Sequence, residues 1–130
     1  MTWLYQETPF EDPQEFWGFV YIIHDTVNNK KYIGKKQFYF RKTKILKGKK
    51  KRILVDSDWK KYFGSNVELN EQVKIHGESN FKREIVKLCK SKSECSYYEA
   101  KLQFEADVLL SEEYYNAWIS VKVTKKHIKK

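Results

Sequence analysis

A chain of 130 residues, 41% hydrophobic and 16% aromatic, can bury one hydrophobic core. Its 26 Lys and Arg against 17 Asp and Glu give a net charge of +9 and a pI near 9.4, which excludes an acidic disordered chain and points to a polyanionic partner. No run reaches the ~18 apolar residues of a membrane span. The N-terminus, Met1 to Glu7, lacks the basic start and apolar core of a signal peptide. The expectation is therefore a cytoplasmic protein with no membrane contact, in which Cys89 and Cys95 stay reduced and serve packing rather than zinc.

Charge is unevenly placed. Residues 1–29 contain five acids and no Lys or Arg, so all 26 basic residues follow them. Residues 1–16, with Pro9 and Pro13 among acids and aromatics, read as an irregular arm. From Gly18 to His24, β-branched and aromatic residues predict a strand. Asp25 to Lys30 is a turn rich in Asn and Asp, and Lys31-Tyr32-Ile33-Gly34 resumes the strand pattern, giving a β-hairpin. A basic insert over 41–55 follows, with eight basic residues among the twelve from Arg41 to Arg52 and Gly48 interrupting them. Asp56-Ser57-Asp58 predicts a helix start before Trp59, with Gly64 as its stop. Ser65-x-x-Glu68 is a capping box opening a helix to His76, and Gly77 ends it. Phe81 to Leu88 reads as a third strand. A longer helix starts at Ser91 or Ser93 and reaches about Leu110, with Tyr98, Leu102, Ala106 and Leu109 as its apolar stripe. Tyr114 to Val123 is a last strand or an extended segment, and 121–130 a basic C-terminal tail. The elements add up to an α+β fold, with a small three-stranded antiparallel sheet flanked by helices over 17–120.

The hairpin permits a geometric test. With the turn centred between Val27 and Asn28, His24 faces Lys31, Ile23 faces Tyr32, and Tyr21 faces Gly34. Side chains alternate along a strand, so Tyr21 and Tyr32 share a face as diagonal neighbours roughly 7–8 Å apart. Read alone, two such phenols are an ordinary aromatic pair on a half-buried sheet, and Glu99 is a helix-capping residue of Ser96-x-x-Glu99. Their order along the chain says more. Phe19-Val20-Tyr21, ten residues, then Tyr32-Ile33-Gly34 is followed by a basic segment, by Glu99 on the long helix, and by Tyr115-Asn116.

This order resembles the GIY-YIG endonuclease family, as a homing-type or phage-like stand-alone nuclease domain, from about Trp17 to Trp118. The second half-motif matches in full, whereas Phe19 and Val20 stand in place of the Gly and Ile of the first. The resemblance implies the same three-stranded fold. It implies that Tyr32 helps activate the attacking water and that Tyr21 sits near the scissile phosphate. Glu99 would hold one divalent metal, Mg²⁺, with Mn²⁺ able to replace it. An Arg after the hairpin would stabilise the phosphate, and Asn116, Gly34 and Lys35 would support the site. The family's Arg lies about ten residues after the second tyrosine, with His or Tyr one helical turn on. Here Arg41 is nine residues after Tyr32, Lys42 is ten, and the His or Tyr is absent at that spacing. The long basic stretch looks inserted; the resemblance favours Arg41 as the catalytic arginine, with Arg52, supported by Lys42, as the alternative. Lys44, Lys47, Lys49, Lys50 and Lys51 would clamp a DNA backbone.

The chemistry agrees with these residue types. Phosphodiester hydrolysis builds negative charge on phosphate oxygens, and positioned cations offset it. A hard Mg²⁺ takes oxygen ligands and keeps several waters, so one carboxylate plus the substrate suffices. A tyrosine, with a reference pKa of about 10, acts as a base only beside cations that favour its phenolate. The sequence therefore predicts a metal-dependent DNA endonuclease acting on duplex DNA. The alternatives are a non-catalytic nucleic-acid-binding module derived from this fold and a basic protein-interaction domain.

Overall fold

The computed structural model describes residues 2–120, and the expected tail over 121–130 lies outside them. The hairpin is β3 (Gly18–Asp25) with β4 (Lys30–Gln37). Its register matches the expected one, with Tyr21 opposite Gly34, Ile23 opposite Tyr32 and His24 opposite Lys31. The Asp25 carboxylate fixes the turn by accepting from the backbone N–H of Val27 and Asn28 at 2.9 and 3.0 Å. Asn29 takes the left-handed conformation, φ 55°, that asparagine tolerates.

The third expected strand is β7 (Phe81–Cys89), antiparallel to β3 with a bulge at Val20/Tyr21. The α+β class holds, but the sheet is larger than three strands and mixed. β1 (Leu4–Tyr5) pairs parallel with β7, and β2 (Thr8–Pro9) folds back on β1, giving the order β2-β1-β7-β3-β4. The arm over 1–16 is thus partly an annex of the sheet. Trp3 anchors it, 1% exposed, with its indole N–H donating to the Trp59 carbonyl at 2.6 Å.

The basic insert is not a loop. It is a separate antiparallel ribbon of β5 (Tyr39–Leu46) and β6 (Lys49–Asp56). Lys47 and Gly48, φ 50° and 77°, make the two-residue turn of positive φ whose twist suits a hairpin.

The expected helix after Asp58 is only a 3-10 turn, Trp59–Lys61, because Trp59 plunges into the core and Tyr62 is already extended. Helix α1 (Val67–His76) is capped by Asn66, not Ser65: the Asn66 carboxamide accepts from the Leu69 N–H at 2.9 Å and donates to the Tyr115 carbonyl at 3.0 Å. Helix α2 (Lys92–Glu105) starts on a Ser91 cap and stops short of Leu110, because Asp107 turns left-handed at φ 51°. Leu109 is therefore half exposed and not part of a helical stripe.

The two sheet faces carry two cores. Phe19, Tyr21 and Ile23 pack with Trp3, Phe38, Trp59 and Leu69 on one side. Val20, Ile33, Cys89, Cys95 and Val108 pack under α2 on the other, with both thiols free and buried. No helix among the described residues is long and apolar enough to cross a membrane.

Candidate active site

β4 ends the sheet order, so its outer edge is where side chains from both faces can meet. Residues 113–116 cover part of that edge: Lys31 N–H donates to Glu113 and Tyr115 N–H donates to Lys31. Asn116 closes the cover. Its carboxamide accepts from the Ile33 N–H at 3.1 Å and returns a bond to the Ile33 carbonyl at 2.8 Å. A side-chain amide thus imitates a strand partner between Tyr32 and Gly34. Asn116→Ala strands the buried Ile33 N–H, so we expect a stability loss of about 1–3 kcal/mol and a melting temperature several degrees lower by calorimetry.

At this edge a cavity of about 240 Å³ is lined by Tyr32, Lys35, Ser65, Glu99, Gln103 and Trp118, among others. The pleat puts Tyr32 on one face of the sheet and Lys35 on the other, and α2 brings Glu99 to Lys35. The Tyr32 hydroxyl shares a 3.0 Å hydrogen bond with Ser65 Oγ. Burial pushes its pKa above the ordinary value, Ser65 counteracts this, and the charge of Glu99 adds to the rise. The Tyr32 and Tyr21 rings lie 6.2 Å apart, as the diagonal pairing predicts.

Tyr21 does not line the cavity. It is 1% exposed behind Tyr32, with the Tyr62 ring 6.0 Å away. Burial, then its tyrosine neighbours, push its pKa well above the usual value. Gly34 makes room for both phenols. A Cβ there would stand 2.7 Å from Tyr21 Cζ and 3.1 Å from Tyr32 Cε2.

Lys35 Nζ donates to Ser96 Oγ at 2.6 Å and lies 3.9 Å from Glu99 Oε1. The Glu99 side chain is only 14% exposed. Burial raises its pKa, while the Lys35 ammonium and a backbone hydrogen bond from Lys35 pull it down. Ser96 is buried inside α2 and receives Lys35; it caps no helix. Gln103, one turn after Glu99, donates to the Ile33 carbonyl at 2.9 Å, while its Oε1 is buried with no hydrogen-bond partner among the described residues.

The expected basic residues lie elsewhere. Arg41 opens a neighbouring groove with Trp17, Tyr39 and Lys92, and shares a surface cleft with Arg52. Lys42, Lys44, Lys47, Lys49, Lys50 and Lys51 are all on the ribbon and exposed. The inserted strands carry both arginines away from the cavity, whose lining contains Lys35 and no arginine. Sequence reasoning missed Ser65, Ser96 and Gln103. The signal for the last two was helical spacing, since positions three before and four after Glu99 share its face.

A family model described as "Putative endonuclease segE, GIY-YIG domain" matches residues 3–119. The chain belongs to the GIY-YIG endonuclease family. It is also similar to "Putative endonuclease segE" of Enterobacteria phage T4, 31% identical over 98 residues. That match covers 75% of this chain but 39% of the phage protein, so the chain spans well under half of that relative's length. No solved structure matches. The GIY-YIG half-motifs correspond to β3 and β4, with both tyrosines on one face and the glycine of the second half leaving room for their rings.

A hard divalent cation fits the donors present. Glu99 supplies one shielded carboxylate, and Ser65 and Gln103 add neutral side chains to the same lining. Among the described residues no cluster of three or more His, Cys, Asp or Glu could hold a metal, so water and substrate oxygens would complete the shell.

Proposed function

We propose that this chain is a Mg²⁺-dependent endonuclease that hydrolyses phosphodiester bonds of duplex DNA in the cavity between Tyr32, Lys35 and Glu99. The observation that carries this reading is the shielded Glu99 carboxylate beside a phenol and an ammonium group in one cavity, within a chain of +9 net charge. Glu99 would hold the metal, directly or through water, and Gln103 would keep β4 against α2 through the Ile33 carbonyl. The metal would add positive charge at the scissile phosphate. Tyr32 Oη, already paired with Ser65, would act as the phenolate, taking one proton from the attacking water to become the phenol. Its raised pKa disfavours the phenolate, so the charge of the bound metal would be needed to form it. Lys35 would offset charge on the phosphate while keeping Glu99 ionised. Tyr21, buried behind, would position Tyr32, and Arg41 and Arg52 would act on the substrate from the ribbon.

One observation favours the second reading, a non-catalytic DNA-binding module: no arginine lines the cavity. Supercoiled plasmid separates the two. The nuclease converts it to nicked or linear product with Mg²⁺ and not with EDTA; binding without any product in Mg²⁺ or Mn²⁺ contradicts the proposal.

The pKa directions give a further expectation. Metal binding requires ionised Glu99, and its pKa is raised, so activity falls with acidification above the usual carboxylate range. Lys35 lowers that pKa. Lys35→Met therefore moves the acid limb of the kcat/KM profile to higher pH. An unmoved limb means that Glu99 ionisation does not control it.

A further inference from the structure

Among the described residues the β5–β6 ribbon is exposed on both faces, except at its base, where Arg41 and Leu54 border a groove with Trp17 and Lys92. From Phe40 to its end, β5 is exposed throughout, and β6 has only Ile53 and Val55 partly covered. Directly paired residues share a face of a ribbon, and the register pairs Arg41 with Leu54, Thr43 with Arg52 and Ile45 with Lys50. One face therefore carries Arg41, Lys50 and Arg52. The pairs Lys42 with Ile53, Lys44 with Lys51 and Leu46 with Lys49 give the other face Lys42, Lys44, Lys49 and Lys51. A ribbon lying flat on a duplex needs cations on one face only. One lodged in a groove meets a wall of phosphates on each side.

We propose that the ribbon is an arm that enters the major groove of the duplex beside the cut, with each cationic face against one phosphate backbone. The proposal rests on the DNA reading above. The major groove, about 12 Å wide, admits a two-stranded ribbon. Eight residues per strand reach about 26 Å, or roughly 8 bp at ~3.4 Å per step. The arm starts at Tyr39, four residues along the chain from Lys35 of the cavity lining. Its tip presents Ile45 and Leu46, 69% and 45% exposed, where base edges and thymine methyls offer apolar contact.

The test measures binding in EDTA, by fluorescence anisotropy on a duplex of about 30 bp across a salt series, because each phosphate contact adds about 0.9 to the slope of log K against log salt. Three variants of the full chain are compared: Arg41→Ala/Lys50→Ala/Arg52→Ala, Lys42→Ala/Lys44→Ala/Lys49→Ala/Lys51→Ala, and a control, Lys74→Ala/Lys82→Ala/Lys101→Ala, on exposed positions away from the ribbon. The arm predicts a slope lower by about 2 or more in each face variant and by less than ~1 in the control. Loss in one face variant alone means that the ribbon lies flat and overturns the proposal. Equal losses in all three, or none, reduce it to diffuse attraction and also overturn it. Displacement by the minor-groove ligand netropsin contradicts the major-groove placement. Plasmid nicking in Mg²⁺ is scored separately on the unsubstituted chain. A chain that binds as predicted without cutting sinks the nuclease reading alone, and one that cuts without the two-face dependence sinks the arm alone.

Discussion

Glu99→Gln is expected to remove Mg²⁺-dependent cleavage and to leave duplex binding within about threefold of the parent, because the proposed DNA contacts are made by the cations of the ribbon. Glutamine keeps the length and packing of the side chain and deletes the one carboxylate that lines the cavity. With no other ionised oxygen ligand there, metal occupancy collapses, and we expect the cleavage rate to fall by at least ~10³-fold, the scale of losing a charge-stabilising group at phosphate. Stability moves the other way. Burial raises the Glu99 pKa, so the folded state holds this proton more tightly than the unfolded chain and loses stability as pH rises from the ordinary carboxylate range up through its raised pKa. A neutral amide escapes that cost. Glu99→Gln should therefore melt at or above the parent temperature near neutral pH. A variant that still cuts, or one that merely unfolds, contradicts the assignment.

Tyr32→Phe lowers kcat by roughly 10²–10⁴-fold, the range for losing a positioned proton acceptor. The ring still packs against Tyr21 and Gly34, so the fold and KM change little. Ser65→Ala is the graded companion. It leaves the phenol but deletes the 3.0 Å hydrogen bond that pulls the Tyr32 pKa down. Its kcat should fall less, and the approach to maximal rate should move to higher pH. Single-turnover cleavage with saturating enzyme reads both. If Tyr32→Phe cuts at the parent rate, the proton goes elsewhere.

What could be read from sequence was local. Alternation fixed the hairpin register, because an Asn-rich turn between two β-branched runs leaves one way to pair Tyr21 with Gly34. The register in turn put the phenols on one face. The parallel pairing of Leu4 and Tyr5 with β7 was hidden, since two residues carry no periodicity and their partner is about eighty positions away. The ribbon was hidden because lysine is a poor strand former and polar on both faces. Lys47-Gly48, with a basic run on either side, was the turn signal. At the cavity, Tyr32, Lys35 and Glu99 were legible through the motif order, whereas Gln103 was not: its bond reaches the Ile33 carbonyl, 70 positions away. Counting along the chain could not tell that Arg41 and Arg52 lie outside the cavity lining, because an extended insert moves residues by about 3.3 Å per position rather than returning them to a helix face.

The most direct test of the central claim is where a divalent metal sits. Mn²⁺ titrated into ¹⁵N-labelled protein broadens nearby amide signals. The account predicts broadening centred on Tyr32, Lys35, Glu99 and Gln103, lost in Glu99→Gln. Broadening centred elsewhere, or unchanged by Glu99→Gln, would contradict it.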